Sequence, residues 1–124
     1  MQVLPVQELL RICCLTMATP EAKIKAALDK MLKAERVWFY PPQAGPFGSA
    51  GIPDRVAVVD GLFVGIECKA DAKKKPTALQ IKCMADIEAA GGKCFVVYDK
   101  ETIEHVREWI HACRRVSEGT GPQA

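Results

Sequence analysis

The residue types best suited to chemistry in this chain lie on either side of one predicted hairpin. Asp54 ends the segment Gly51-Ile52-Pro53-Asp54, and Glu67 and Lys69 belong to the segment Ile66-Glu67-Cys68-Lys69. Two carboxylates can hold a hard divalent cation such as Mg²⁺. An amine beside them can exchange or orient protons. These residue types therefore indicate a metal site with a proton-handling group.

The hairpin determines how the two segments face each other. Asp60-Gly61 is a strong signal for a two-residue turn, and it separates two apolar, β-branched runs at 55–59 and 62–68. Counting outward from the turn, Asp54 falls opposite Glu67. The intervening pairs are Val59 with Leu62, Val58 with Phe63, and Val56 with Gly65.

Opposed carboxylates on a sheet repel each other, so we expect a cation to accompany Asp54 and Glu67. Strand alternation places Lys69 on the face of Glu67 and turns the Cys68 side chain to the other face. Only the backbone carbonyl of Cys68 can then reach the same metal. An alternative interpretation makes Asp54 a turn residue and Glu67 and Lys69 a surface ion pair.

Composition describes a single globular domain. The chain has 124 residues, of which 49% are hydrophobic and 26% are charged. Its net charge of +2 is too small to indicate nucleic-acid binding by the charge of the whole domain. Its six cysteines form no C-x-x-C pair, which argues against structural zinc and favours reduced thiols in a cytoplasm, bacterial or that of a viral host. No apolar run is long enough for a membrane span, and we expect no contact with a membrane.

The pattern of elements predicts an α/β fold in the order α-β-β-β-α-β-α. A helix capped at Thr19 runs to about Ala34, and a capping box at 77–80 opens a second helix that stops at Gly91-Gly92. A short buried strand at 93–98 precedes a last helix that ends near Arg115. The crossover helix makes the third and fourth strands parallel in a mixed sheet.

Domain boundaries follow from the same pattern. We expect residues 1–18 to be an N-terminal appendage of unknown role, without the features of a signal peptide. Residues 19–116 form the folded domain, and residues 117–124 form a flexible tail.

With these motifs in this order, the chain resembles the PD-(D/E)XK nuclease superfamily and, more narrowly, the VRR-NUC family. The resemblance covers Thr19 to about Arg115, and Glu21 and Gln80 match the family's two outer positions. It implies a restriction-endonuclease-like core with a mixed central sheet flanked by helices. Arg55 and Cys68 depart from apolar residues common in the family, and neither removes a needed group.

The resemblance also implies a site and a reaction, the hydrolysis of DNA phosphodiester bonds with Mg²⁺ or Mn²⁺. Asp54, Glu67 and the Cys68 carbonyl would hold the metal, with Glu21 contacting it directly or through water. Lys69 would orient or deprotonate the attacking water or stabilise developing charge, and Gln80 would position Lys69 or a phosphate oxygen. The residues expected to contact DNA are Lys73, Lys74, Lys75, Arg55 and Ser49.

The resemblance further implies branched DNA as the substrate and a Holliday-junction resolvase as the first choice, because stand-alone members of the family resemble such enzymes. With 124 residues, selectivity would have to come from a homodimer, whose twofold symmetry suits paired cuts. Another nuclease interpretation is a flap or nicking enzyme of phage DNA metabolism. A third is a DNA-binding module on a nuclease fold that no longer cuts. A structural α/β protein without metal affinity is the alternative outside these classes.

Overall fold

The computed structural model describes residues 5–7, 19–43 and 50–120. In the two longer ranges it contains three helices and four strands in the predicted order α-β-β-β-α-β-α. They are α1 (Pro20–Ala34), β1 (Trp38–Tyr40), β2 (Arg55–Val59), β3 (Leu62–Cys68), α2 (Ala78–Ala89), β4 (Lys93–Val97) and α3 (Lys100–Thr120). The α/β class with a mixed sheet is thereby confirmed.

The four strands form one sheet in the order β1-β2-β3-β4. β1 and β3 both run antiparallel to β2, while β4 runs parallel to β3, as the crossover through α2 predicts. The hairpin pairs Val59 with Leu62, Val58 with Phe63 and Val56 with Gly65, which confirms the predicted register. Asp60 and Gly61 both have positive φ, at 49° and 80°, as this turn requires.

Helices pack against both faces of the sheet. On one face, alternate β3 residues join α1 and α3 in the hydrophobic core, whose members include Val64, Ile66, Cys68, Leu28, Leu32, Ile103, Val106 and Ile110. On the other face lies α2, whose Met84 carbonyl accepts a hydrogen bond from the Cys94 thiol of β4. Glu67 alternates with the core residues of β3, so its side chain lies on the α2 face.

Two details of the prediction are wrong. β4 is an edge strand in which only Val97 is buried, because no strand pairs with its outer side. The last helix does not end near Arg115 but continues to Thr120, through the start of the predicted tail. Its final turns are stabilised by Ser117, whose hydroxyl donates to the Asp60 carboxylate of the hairpin turn at 2.8 Å.

The predicted appendage and the end of the tail lie mostly outside the described residues, which leave out 1–4, 8–18 and 121–124. Within the described ranges, no helix is long and apolar enough to cross a membrane.

Candidate active site

Asp54 is fixed at the entrance to β2 by a backbone donor. Its Oδ2 accepts a hydrogen bond of 2.9 Å from the N–H of Cys68, the last residue of β3. The pairing of Arg55 with Ile66 is the last in the ladder, and one further step brings Asp54 to the level of Glu67. The two carboxylates predicted to be opposed are therefore brought together.

Gly51 explains why the loop before Asp54 has its sequence. Its φ is +86°, and a Cβ at this position would lie 2.6 Å from the backbone carbon of Leu79 and 2.9 Å from the nitrogen of Gln80. The loop thus packs directly on the first turn of α2. This close approach joins the segment that carries Asp54 to the helix that carries Gln80.

Glu67 is the only charged residue among the described residues that is buried, with 2% of its surface exposed. Its Oε1 accepts a hydrogen bond of 2.9 Å from Gln80 Nε2 and lies 3.8 Å from Lys69 Nζ. Its Oε2 is buried without a donor from any described residue. Burial, followed by the neighbouring Asp54 carboxylate, raises the pKa of Glu67 to about 8.

Gln80 closes the capping box of α2 and also contacts two candidate site residues. Its Oε1 accepts the Thr77 N–H at 2.8 Å, and the Thr77 hydroxyl accepts the Gln80 N–H at 3.2 Å, so the capping box is closed. The same Oε1 accepts a hydrogen bond of 2.9 Å from Lys69 Nζ. Gln80 therefore holds Glu67 with its amide nitrogen and Lys69 with its amide oxygen.

Lys25 is a functional candidate that the sequence reasoning missed. Its Nζ lies 3.5 Å from Asp54 Oδ1 and 3.6 Å from Glu21 Oε2. Burial lowers the pKa of Lys25, but the carboxylates of Asp54 and Glu21 outweigh it, and the pKa is raised overall. The signal available in the sequence was the four-residue spacing from Glu21, which places both residues on one helix face.

The carboxylate oxygens at this site are suitable ligands for a hard divalent cation. Glu67 Oε2 is a buried oxygen without a hydrogen-bond donor, beside a second carboxylate at Asp54, and oxygen ligands are those that Mg²⁺ and Mn²⁺ prefer. In the part of the chain that the structure describes, however, no three His, Cys, Asp or Glu side chains converge as a ready metal cluster. Glu21 is instead engaged by Lys25, which stands between it and Asp54.

Arg55 has a structural role in this arrangement. Its guanidinium binds both carboxylate oxygens of Asp29 on α1, at 2.7 and 3.0 Å, and donates to the Asp54 carbonyl at 2.8 Å. These bonds hold α1 against β2 beside the site. The predicted contact of Arg55 with DNA stays a prediction.

Cys68 contributes through its backbone. Its side chain is fully buried in the core, and burial raises the pKa of the thiol to about 12, so the thiol is not reactive. The predicted role of its carbonyl as a metal ligand stays a prediction.

The three neighbouring lysines lie in the turn between β3 and α2. Lys73, Lys74 and Lys75 are exposed, and the Asp71 carboxylate accepts the N–H groups of Lys73 and Lys74 at 2.8 and 3.2 Å. The turn thus presents three ammonium groups near the end of β3. Ser49, the remaining predicted DNA contact, lies outside the described residues.

A second ion cluster lies away from these residues. The Glu35 carboxylate, at the end of α1, accepts from His111 at 2.7 Å and from Arg114 at 3.3 Å, and lies 3.6 Å from Arg107. The hydrogen bond from His111 and the two guanidinium groups hold the pKa of Glu35 below its usual range. The cluster fastens α1 to α3 and hence supports the helix that carries Glu21 and Lys25.

Comparison of the chain with protein-family models gives no match, and comparison with curated proteins gives none either.

Proposed function

We propose that this protein is a metal-dependent DNA endonuclease of the VRR-NUC type. The observation that supports the proposal best is the buried Glu67, which shares its site with Asp54 while Gln80 links it to Lys69. Burying a carboxylate beside another carboxylate costs stability, and a cation bound between them would offset that cost.

The residues that would hold Mg²⁺ or Mn²⁺ are Asp54, Glu67 and the Cys68 carbonyl, with Glu21 directly or through water. When bound, such an ion lowers the pKa of water and offsets negative charge on a phosphate. Asp54 is already oriented for this role by the Cys68 N–H. Glu67 must lose its proton to bind, because its pKa is raised to about 8.

Lys69 would act on the reacting atoms from the side of Glu67. Its side chain is only 12% exposed, and its Nζ is held by Gln80 Oε1 and lies near Glu67 Oε1. An ammonium fixed in this way can orient an attacking water or donate to a phosphate oxygen as charge develops. Gln80 would be a positioning residue, since it reaches the reaction through Lys69 and Glu67.

The substrate we favour is branched DNA, with the four-way junction first. Lys73, Lys74 and Lys75 project from the turn that follows Lys69 and would meet phosphates near the cut. Flaps and nicked duplexes remain the alternative substrates. A non-catalytic module that only binds DNA would keep the lysines but has no use for Lys69 held by Gln80.

The protein would act as a homodimer in the cytoplasm. An exposed apolar surface that includes Trp38, at 63% exposure, supports association, and the strand register places Trp38, Val58 and Phe63 in one row of the sheet face. Tyr40, two residues after Trp38 on β1, extends this surface, with its ring 5.5 Å from that of Trp38. The four described cysteines are free thiols, which suits a reducing compartment.

The substrate is tested with end-labelled DNA in five forms: four-way junction, flap, nicked duplex, plain duplex and single strand. Purified protein is incubated with each form in Mg²⁺, Mn²⁺ or EDTA. Paired, metal-dependent cuts in the junction are the expected result. Cutting confined to the other forms would keep the nuclease and reject the resolvase, while tight binding without cutting of any form would favour the non-catalytic module.

A further inference from the structure

Lys25 bridges two carboxylates of the proposed metal site. Its ammonium lies 3.5 Å from Asp54 Oδ1 and 3.6 Å from Glu21 Oε2, so one positive charge serves both residues. Its side chain is 31% exposed, so Lys25 is partly shielded from solvent. A divalent cation shared by the same two carboxylates would compete for these oxygens.

Lys25 lies between two of the three carboxylates of the proposed metal site. Glu21, Asp54 and Glu67 supply three carboxylates, but no three acidic side chains of the described residues converge closely enough to hold an ion. Lys25 occupies the interval between the first two, one helical turn after Glu21. Without that ammonium, Glu21 and Asp54 would lack the positive charge that they share.

We propose that Lys25 is a resident cation, which neutralises Glu21 and Asp54 in the metal-free protein and must leave them before a divalent metal binds. The inference rests on the proposed function, because it assigns the same carboxylates to a metal. Lys25 then sets the metal affinity of the site without touching the reacting atoms.

The physical basis is competition between like charges. A divalent ion at the Asp54 carboxylate would repel an ammonium held 3.5 Å from the same group. The flexible lysine stem can carry the ammonium outward into water, since the side chain is already partly exposed. Breaking two such partly exposed ion pairs weakens metal binding by about three- to tenfold.

The test is calorimetric titration of the DNA-free protein with Mn²⁺ at pH 8, in four forms: wild type, Lys25→Met, Lys25→Arg and Lys30→Met. The methionine keeps the length of the side chain and removes its charge. The arginine keeps the charge. Lys30, an exposed lysine further along α1, provides the matched control for loss of one positive charge. Circular dichroism and a thermal melt confirm that each variant folds.

The expected result is about three- to tenfold tighter Mn²⁺ binding by Lys25→Met, with Lys25→Arg and Lys30→Met close to wild type. Metal should also raise the melting temperature of Lys25→Met more than that of wild type. Unchanged or weaker binding by folded Lys25→Met, while wild type binds metal, would overturn the inference and leave the proposed function standing. Absence of Mn²⁺ binding in both wild type and Lys25→Met would overturn the metal site itself.

Discussion

The Gln80 amide oxygen accepts a hydrogen bond of 2.9 Å from the Lys69 ammonium and also closes the capping box at the start of α2. One side chain thus couples the position of a helix to the position of the amine proposed to act in catalysis. The amide nitrogen extends the coupling to Glu67, at 2.9 Å. Helix α2 therefore helps to build the site although none of its own residues is fully buried.

This double role can be separated with two substitutions. Gln80→Ala removes the cap contact together with the bonds to Lys69 and Glu67, and we expect the cleavage rate to fall about 10- to 100-fold. Thr77→Ala removes only the cap, at a cost of about 1 kcal/mol in the free energy of unfolding, and should leave cleavage close to wild type. Single-turnover cleavage and chemical denaturation of both variants check this. Equal losses of activity would show that Gln80 acts only through the helix.

The buried carboxyl predicts a pH dependence of stability in the metal-free protein. The pKa of Glu67 is raised from an ordinary 4.5 to about 8, so the folded state holds the proton more tightly than the unfolded state. This contribution to stability is fully present below pH 4.5 and is lost as the pH rises through about 8. Glu67→Gln, which imitates the protonated form, should have a stability close to that of wild type at pH 5 and a higher stability than wild type at pH 9.

Thermal melts at the two pH values measure the effect. The difference in melting temperature between Glu67→Gln and wild type should be larger at pH 9 than at pH 5 by at least about 4 °C. Glu88→Gln, at an exposed position of α2, is the control and should show no widening. A gap that stays constant from pH 5 to pH 9 would mean that Glu67 is ionised throughout.

The same carboxyl predicts proton release on metal binding. At pH 7 the Glu67 side chain still carries its proton, because its pKa is about 8, and a metal ligand must be deprotonated. Binding of Mn²⁺ should therefore release close to one proton at pH 7 and almost none at pH 9.5. Calorimetric titration with Mn²⁺ in two buffers of different ionisation enthalpy measures the number of protons released. Identical heats in both buffers at pH 7 would contradict the prediction.

Gly51 should tolerate no side chain. Gly51→Ala places a Cβ 2.6 Å from the Leu79 backbone at a φ of +86°, so we expect a loss of about 2 to 5 kcal/mol in the free energy of unfolding. Gly91→Ala is the matched control, since Gly91 has a φ of +100° but open space around its Cβ, and should cost about 1 to 2 kcal/mol. Urea denaturation compares the two. Equal costs would show that the loop can move away from α2.

Local signals in the sequence were sufficient for the part of the site that depends on the hairpin. Asp60-Gly61 determines the turn, the turn determines the register, and the register places Asp54 beside Glu67. The capping box likewise predicted where α2 begins. The contact between Gln80 and Lys69 was expected only from the resemblance to a nuclease family, not from the capping box. These relations span few residues, so they need no knowledge of how the layers pack.

The parts that sequence reasoning missed depend on packing between distant elements. Lys25 reaches Asp54 only because the burial of Leu28 and Leu32 sets the rotation of α1 against the sheet. The pair between Arg55 and Asp29 depends on the same rotation. The last turns of α3 contact the hairpin turn through Ser117 and Asp60, and no local helix signal contains that contact.

The central claim is that Asp54, Glu67 and Lys69 form a metal-dependent phosphodiesterase site. The most direct test is the single-turnover cleavage of end-labelled four-way junction by wild type, Asp54→Asn and Lys69→Met, in Mn²⁺ and in EDTA, with the fold of each variant confirmed by circular dichroism. We predict cleavage by wild type in Mn²⁺ alone and a loss of at least about 100-fold in both variants. Cleavage that persists in EDTA, or at an unchanged rate in both folded variants, would contradict the claim.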